Sequence, residues 1–423
     1  MIRGAMLGLV VALAGPVAGA DLRGHGGPVR AIALSPDGAS ALTGSFDSTA
    51  IVWSLARGEA RQVLRFHQGA VHAVVHLPDR RLATAGEDGR IALWAPGAAQ
   101  PEAVLTGHSA PVTALAVAPD GRRLLSASWD GTARLWPLSG GAALALEDHR
   151  ANVNGAGFLA DGRIVTAAYD GVVRVFSAEG RLLRLWQTGV PASGLLTTGG
   201  EIVIASADGA VRFIDPASGA TERVAVSEAP IVALAASPDG RLVAAAGFRG
   251  ALALVDRAAR RIERRMEGPA FPLWSLAFSA DGREILTGGA DRLVRRWHVA
   301  SGEPVSPVLD GVGEDIPARL RDHPGAAVFR ACAACHTLGP DGGNRAGPTL
   351  HGLFGRRIGT APGYDYSPAL QALPIVWDRQ TVSRLFAEGP SVVTPGSKMP
   401  EQIVGRAEDR AALIDFLEAA QTR

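Results

Sequence analysis

The chain of 423 residues holds a single lysine, Lys398, and no basic run. A polybasic patch for a membrane surface is thereby excluded, and nearly all positive charge is arginine. No sign of charge dominates: 42 basic residues face 41 acidic ones, a net charge of +1. That excludes a general nucleic-acid binder, which needs a basic surface to neutralise phosphates. Only two cysteines occur, too few for a disulfide framework. The N-terminal apolar stretch, Ala5 to Ala14, is only about ten residues long, against a bilayer core of ~30 Å. With Arg3 before it and Ala18-Gly19-Ala20 after it, the stretch reads as an export signal cleaved before Asp21. A retained anchor is the weaker reading. No cysteine lies beside the cleavage site, which excludes a lipid-modified N-terminus.

What is present is repetition. Each short turn is followed six residues later by a large apolar residue: Asp47/Trp53, Asp88/Trp94, Asp130/Trp136, Asp170/Phe176, Asp208/Ile214, Arg249/Val255 and Asp291/Trp297. Successive turns lie 41, 42, 40, 38, 41 and 42 residues apart, the period of a four-stranded propeller blade. Within a unit, short alternating strands such as Val112 to Val117 precede a Pro-Asp-Gly turn. One such unit cannot bury both faces, whereas seven stacked in a ring can.

This stretch, Asp21 to about Asp310, resembles the WD40 family. The resemblance implies a buried tetrad of His, Ser or Thr, Asp and Trp in each blade. It reads as His25, Thr43, Asp47 and Trp53; His67, Thr84, Asp88 and Trp94; and His108, Ser126, Asp130 and Trp136. The fourth repeat has His149, Thr166 and Asp170 but Phe176, which lacks the indole donor. These histidines are expected to be structural. Repeats five and six lack most of the tetrad and repeat seven lacks its His, so these blades are expected to rest on packing alone. With four residues between the cleavage site and His25, Val305 to Leu309 is expected to supply the last outer strand. The residue before each turn is aromatic at Phe46, Trp129, Tyr169 and Phe248. These either line a docking surface for a protein redox donor or acceptor, or pack locally.

Gly311 to Arg321 reads as a linker, aperiodic and interrupted by Pro317. Beyond it, Cys332-Ala333-Ala334-Cys335-His336 carries the spacing of a c-type haem attachment signal. Each thiol adds across a haem vinyl group, and the adjacent His binds iron. A thioredoxin-like pair needs a βαβ context that is missing, and a structural zinc site needs four ligands where no second cysteine pair exists. For the opposite axial position this region offers one methionine, Met399, in a loop bracketed by Pro395, Gly396 and Pro400. Met opposite His fills the iron and suits electron transfer.

Residues 322 to 423 resemble the mitochondrial type of class I cytochrome c, on the segment Gly347 to Arg356 together with Pro362-Gly363-Tyr364-Asp365-Tyr366 and Trp377. The resemblance implies an all-α domain. It implies that the Pro348 carbonyl accepts the His336 ring N–H. It makes His351 structural, and Arg356, Tyr366, Trp377 and Ser397 contacts to a haem propionate. It also packs the final helix, Glu408 to Ala420, against the one that enters the haem motif. Two positions depart from it: Phe386 where a tyrosine hydroxyl is usual, and Glu401 where an aromatic usually covers the haem edge. The family's lysine ring is missing, with Arg345, Arg356, Arg357 and Lys398 the nearest substitutes. From Asp322 onward ten basic residues balance ten acidic ones, so electrostatic steering is expected to be modest.

The expected architecture is a signal at 1–20, a seven-bladed all-β WD40-like propeller at 21–310, a linker at 311–321 and a cytochrome c domain at 322–423. The expected function is a periplasmic carrier of one electron on one covalent haem c ligated by His336 and Met399. No nucleic-acid partner and no stable membrane insertion are expected. Two other readings stay open: an oxidoreductase with a second cofactor or substrate site on the propeller axis, and a haem-based gas or peroxide sensor in which Met399 leaves the iron.

Overall fold

The Pro-Asp-Gly turns do in three dimensions what their chemistry requires. At Ser35 to Ser40 the Asp37 carboxylate accepts from the Ala39 N–H at 3.0 Å, and Gly38 adopts φ +68, a left-handed conformation open to glycine. The turn joins the inner strand Val29–Leu34 to Ser40–Ser45, and the chain continues outward through Thr49–Ser54 and Glu59–Arg65. In this computed structural model, residues 21–423 are described except 148, 269–270, 307–315, 334–335, 340–343, 345–346, 365, 367, 396, 398, 400–402 and 422–423. The proposed signal and the first half of the linker, 311–315, therefore lie outside the described residues.

Seven antiparallel sheets of four strands follow one another along the chain. Their apolar side chains form seven separate cores, each shared by two neighbouring blades. Leu42, Trp94 and their neighbours join blades 1 and 2, and Trp53, Leu22 and Leu286 join blades 1 and 7. No blade could bury these faces alone. Each inner strand carries a bulge in register after its first residue, for example between Val29 and Ala31, and between Val71 and Ala73. A bulge re-aims one side chain. Several of the bulged residues stitch blades together: Thr113 donates to the Val153 carbonyl at 3.0 Å and Asn154 to that of Ala192 at 2.8 Å.

The tetrads of the first three blades are hydrogen-bonded chains. In blade 1, Trp53 Nε1 donates to Thr43 Oγ1 at 2.8 Å, Thr43 meets His25 Nε2 at 2.7 Å, and His25 Nδ1 meets Asp47 at 3.0 Å. Because the Asp47 carboxylate can only accept, the ring proton sits on Nδ1, and Nε2 accepts from the Thr43 hydroxyl. In blade 4, where Phe176 has no N–H, Arg174 Nη1 approaches His149 Nδ1 at 2.5 Å and Asp170 at 3.1 Å. The guanidinium has only protons to offer. His149 Nδ1 must accept, and Nε2–H donates to Thr166 at 2.6 Å. With the Arg174 guanidinium at Nδ1, His149 takes the opposite tautomer to His25.

Two expectations are corrected. Blades 5 and 7 do not rest on packing alone. Arg212 and Arg295, nearly buried and four residues after the turn, bond Asp208 and Asp291 at 2.7 and 2.6 Å. An arginine reaching back along its own strand replaces the missing histidine as the carboxylate's partner. Trp297 also keeps its bond to Thr287, at 2.9 Å. The ring, moreover, is closed by Leu22–Arg23, which pair with Val294 and Leu293. Two residues suffice because the segment is pinned from both sides: Leu22 is fully buried, and the Asp21 carboxylate lies 3.5 Å from Arg295. Val305 adds one further bond, its N–H to the Arg296 carbonyl at 2.9 Å, while residues 307–309 lie outside those described.

After the propeller come five helices: α1 (Pro324–Ala333), α2 (Pro368–Ala372), α3 (Arg379–Glu388), α4 (Pro390–Val393) and α5 (Ala407–Gln421). Among the described residues beyond Asp322 these helices are joined by irregular segments, with one isolated bridge, Arg357 to Val376, and no strand. α1 and α5 cross closely at Gly325, where a Cβ would lie 2.1 Å from the Ala412 carbonyl oxygen. Phe329 and Phe416, both fully buried, stack there at 5.0 Å. Asp378 caps α3 through a capping box with Thr381, and Arg379 ties α3 to Asp415 and Glu418 of α5.

Candidate haem site

Around the α1–α5 crossing the chain folds about one cavity of about 1250 Å³, its open mouth included. Its lining brings together residues far apart in sequence: Cys332, His336, Pro348, Arg356, Tyr366, Trp377, Ser397 and Met399. Cys335 and Lys398 lie outside the described residues, as do Arg345, Asp365 and Glu401.

α1 delivers the first group. Cys332 sits near the described end of α1, and the His336 N–H bonds the Cys332 carbonyl at 3.0 Å, the i to i−4 spacing of a helix. Burial pushes the Cys332 thiol up to about 12. His336 is held by Nδ1, 2.7 Å from the Pro348 carbonyl oxygen. Nε2 is then the ring nitrogen that would coordinate a metal. Gly347 makes room for the ring, since a Cβ there would lie 2.3 Å from His336 Cε1. The loop itself is tied by Asn344, which accepts from the Thr349 N–H at 2.9 Å and donates to the Pro362 carbonyl at 2.8 Å.

A short antiparallel ladder places two further groups. Gly355 donates to the Trp377 carbonyl, and Trp377 to that of Arg356, at 2.8 and 3.0 Å. Arg356 spends two N–H groups on the carbonyls of Thr349 and His351, at 2.7 and 2.8 Å. His351 therefore contributes its backbone to the site through Arg356. Burial lowers the Arg356 pKa and raises that of Tyr366. From the other side, Ser397 Oγ accepts the Met399 N–H at 3.0 Å, fixing the turn that carries the thioether. Phe386, buried at 6 %, lines the cavity without a hydroxyl, so Met399 gains no hydrogen bond from that position.

These residues fit a haem. One imidazole with an oriented tautomer, one thioether, a thiol at the rim and an apolar lining of Phe329, Leu353, Leu385 and Leu413 suit a flat apolar ring bearing a metal. Arg356, Tyr366, Trp377 and Ser397 provide N–H and O–H groups for its carboxylates. Sequence reasoning missed the lining residues from blade 1, Asp47, Thr49 and Arg65. No motif near them signals it.

The four aromatics before the turns are exposed: Phe46 at 44 %, Trp129 at 42 %, Tyr169 at 57 % and Phe248 at 39 %. They are not all isolated. Phe46 lies 5.3 Å from Trp274 and 5.9 Å from His72, whose ring is 6.0 Å from Trp129.

Comparison with known proteins agrees with this division. The family model described as WD domain, G-beta repeat matches residues 18–54, 58–95, 99–137, 143–177 and 261–298, passing over the two blades with the most degenerate tetrads. A solved structure titled as the WD40 beta propeller domain of Doa1 superposes with a TM-score of 0.60 at 23% identity. It covers 66% of this chain and 95% of its own, a likeness of fold. Cytochrome c of Stellaria longipes is 43% identical over 95 residues, 22% of this chain and 87% of that protein. Cytochrome c of Gibberella zeae is 42% identical over 95 residues, 22% of this chain and 89% of that one. The chain is a WD40 propeller fused to a cytochrome c domain, and through that domain it belongs to the cytochrome c family.

Proposed function

We propose that this protein is an exported, periplasmic electron carrier holding a single covalent haem c. Cys332 and Cys335 are its thioether residues, and His336 and Met399 its axial ligands. The domain limits proposed are 21–310 for the propeller and 322–423 for the cytochrome. The observation that carries the reading is the convergence of His336 and Met399 on one apolar-lined cavity, with Cys332 at its rim. When bound, the haem supplies a one-electron couple. The chain's own residues do the rest: the Pro348 carbonyl orients His336, and the Ser397 turn presents Met399. Arg356, Tyr366, Trp377 and Ser397 meet the propionates, because a buried unpaired carboxylate is costly.

A WD40 propeller suggests protein–protein interaction, and the finer proposal is that Phe46, Trp129, Tyr169 and Phe248 seat the redox partner. Exposed aromatics are unusual on a surface with nothing to bind and are enriched at interfaces. The test is Met399→Ala in the full chain. It is expected to keep its haem and gain carbon monoxide binding that the wild type lacks. A wild type that binds carbon monoxide as readily as the variant would refute the axial assignment and favour the sensor reading.

A further inference from the structure

We propose that blade 1 forms one wall of the haem site and that its Arg65 is a positioning residue on the propionate side, so that the propeller sets the haem's redox equilibrium. The proposal rests on the haem reading above.

Arg65 ends the outer strand Glu59–Arg65 and pairs in register with Thr49, and both line the haem cavity together with Asp47. The Arg65 guanidinium carbon stands 4.7 Å from the centre of the Tyr364 ring. Tyr364 in turn meets Tyr366 edge-on at 4.8 Å. Tyr366 belongs to the same end of the cavity as Arg356, and the Arg65 charge acts on its hydroxyl alongside that of Arg356. The chain from Arg65 through two tyrosine rings thus leads to the residues assigned to the propionates. Cation–π seating engages the face of the guanidinium and so fixes its charge at the rim.

Asp47 keeps its own negative charge on the same wall, held in place by hydrogen bonds. One of its oxygens takes His25 and the Gly26 N–H, the other takes the Thr49 N–H and hydroxyl, all between 2.6 and 3.0 Å. Its carboxylate is held by blade 1. Among the described propeller residues lining the cavity Arg65 is the cationic one, and removing a positive charge beside the haem disfavours the electron-rich reduced state. The same turn carries Phe46, so a partner seated on the exposed aromatics rests beside the haem wall. A long propeller beside a small haem domain thereby gains a physical role as part of the haem's electrostatic environment.

The test is a potentiometric titration of the full holoprotein, with haem content and thermal midpoint measured on each sample. Arg65→Gln is expected to raise the oxidised-to-reduced ratio at a fixed potential about tenfold, ~59 mV downward for one electron. Arg65→Lys keeps the charge and is expected to restore most of it. Tyr364→Leu, which leaves Arg65 in place but removes its seat, is expected to give a smaller drop. A purely structural role would shift the melting temperature and leave the potential alone. An Arg65→Gln protein with full haem and the wild-type potential overturns the proposal. A chain that attaches no haem overturns the reading on which it rests.

Discussion

Replacing Thr43 and Thr166 by valine isolates the tetrad chemistry, because valine keeps the shape of threonine and removes the hydroxyl. Both residues are fully buried. In blade 1 the Thr43 hydroxyl serves two groups, the Trp53 indole N–H at 2.8 Å and His25 Nε2 at 2.7 Å. Each buried group left without a partner costs about 1–3 kcal/mol, so Thr43→Val is expected to destabilise by about 4 kcal/mol. In blade 4 Phe176 asks nothing of Thr166, and the hydroxyl serves His149 alone at 2.6 Å. Thr166→Val is therefore expected to cost about 2 kcal/mol. The assay is chemical denaturation followed by the β-sheet signal, comparing midpoints at unchanged slope. Nitrogen NMR of the imidazoles adds an independent reading: His25 carries its proton on Nδ1 and His149 on Nε2. Equal costs for the two substitutions, or the same tautomer in both rings, would refute the account of how blade 4 tolerates phenylalanine.

Burial, with the Arg30 charge adding to it, holds the His72 pKa down to about 4 from 6.5. The native ring is neutral and the unfolded ring takes up a proton first, so this contribution is full above pH 6.5. It is lost as pH falls toward 4, on the order of 2 kcal/mol. His72→Phe should lose that part of the slope, and parallel pH–stability curves for the two proteins would show the reasoning wrong. Gly347→Ala places a Cβ 2.3 Å from His336 Cε1 and should push the ring off the Pro348 carbonyl. A lowered holoprotein yield and an altered haem spectrum are expected; a wild-type yield, spectrum and potential would contradict that placement.

The seven blades were legible because the turn and the large apolar residue recur at a nearly constant spacing, as Asp47/Trp53 and Asp291/Trp297 show. Ring closure was not, since Leu22 and Arg23 carry no pattern of their own and are placed by what Val294 and Arg295 offer them. The arginine substitutes were visible in principle as an arginine four residues after the turn, at Arg174, Arg212 and Arg295. Only the fold shows that their side chains run back along the strand to meet the carboxylate. That Cys332, His336 and Met399 gather at one site was legible, because haem chemistry restricts spacing and residue type, and all three line the cavity. That Arg65 lines the same cavity was not, because a residue on another domain obeys neither local period nor motif.

The central claim is a single covalent haem with both axial positions filled by the protein. The most direct measurement is the intact mass of the purified exported chain, paired with its absorption spectrum before and after carbon monoxide. The account predicts the mass of the chain from Asp21 plus one haem, and a low-spin spectrum that carbon monoxide leaves unchanged. A mass without haem, or a spectrum that shifts on adding the gas, would contradict it.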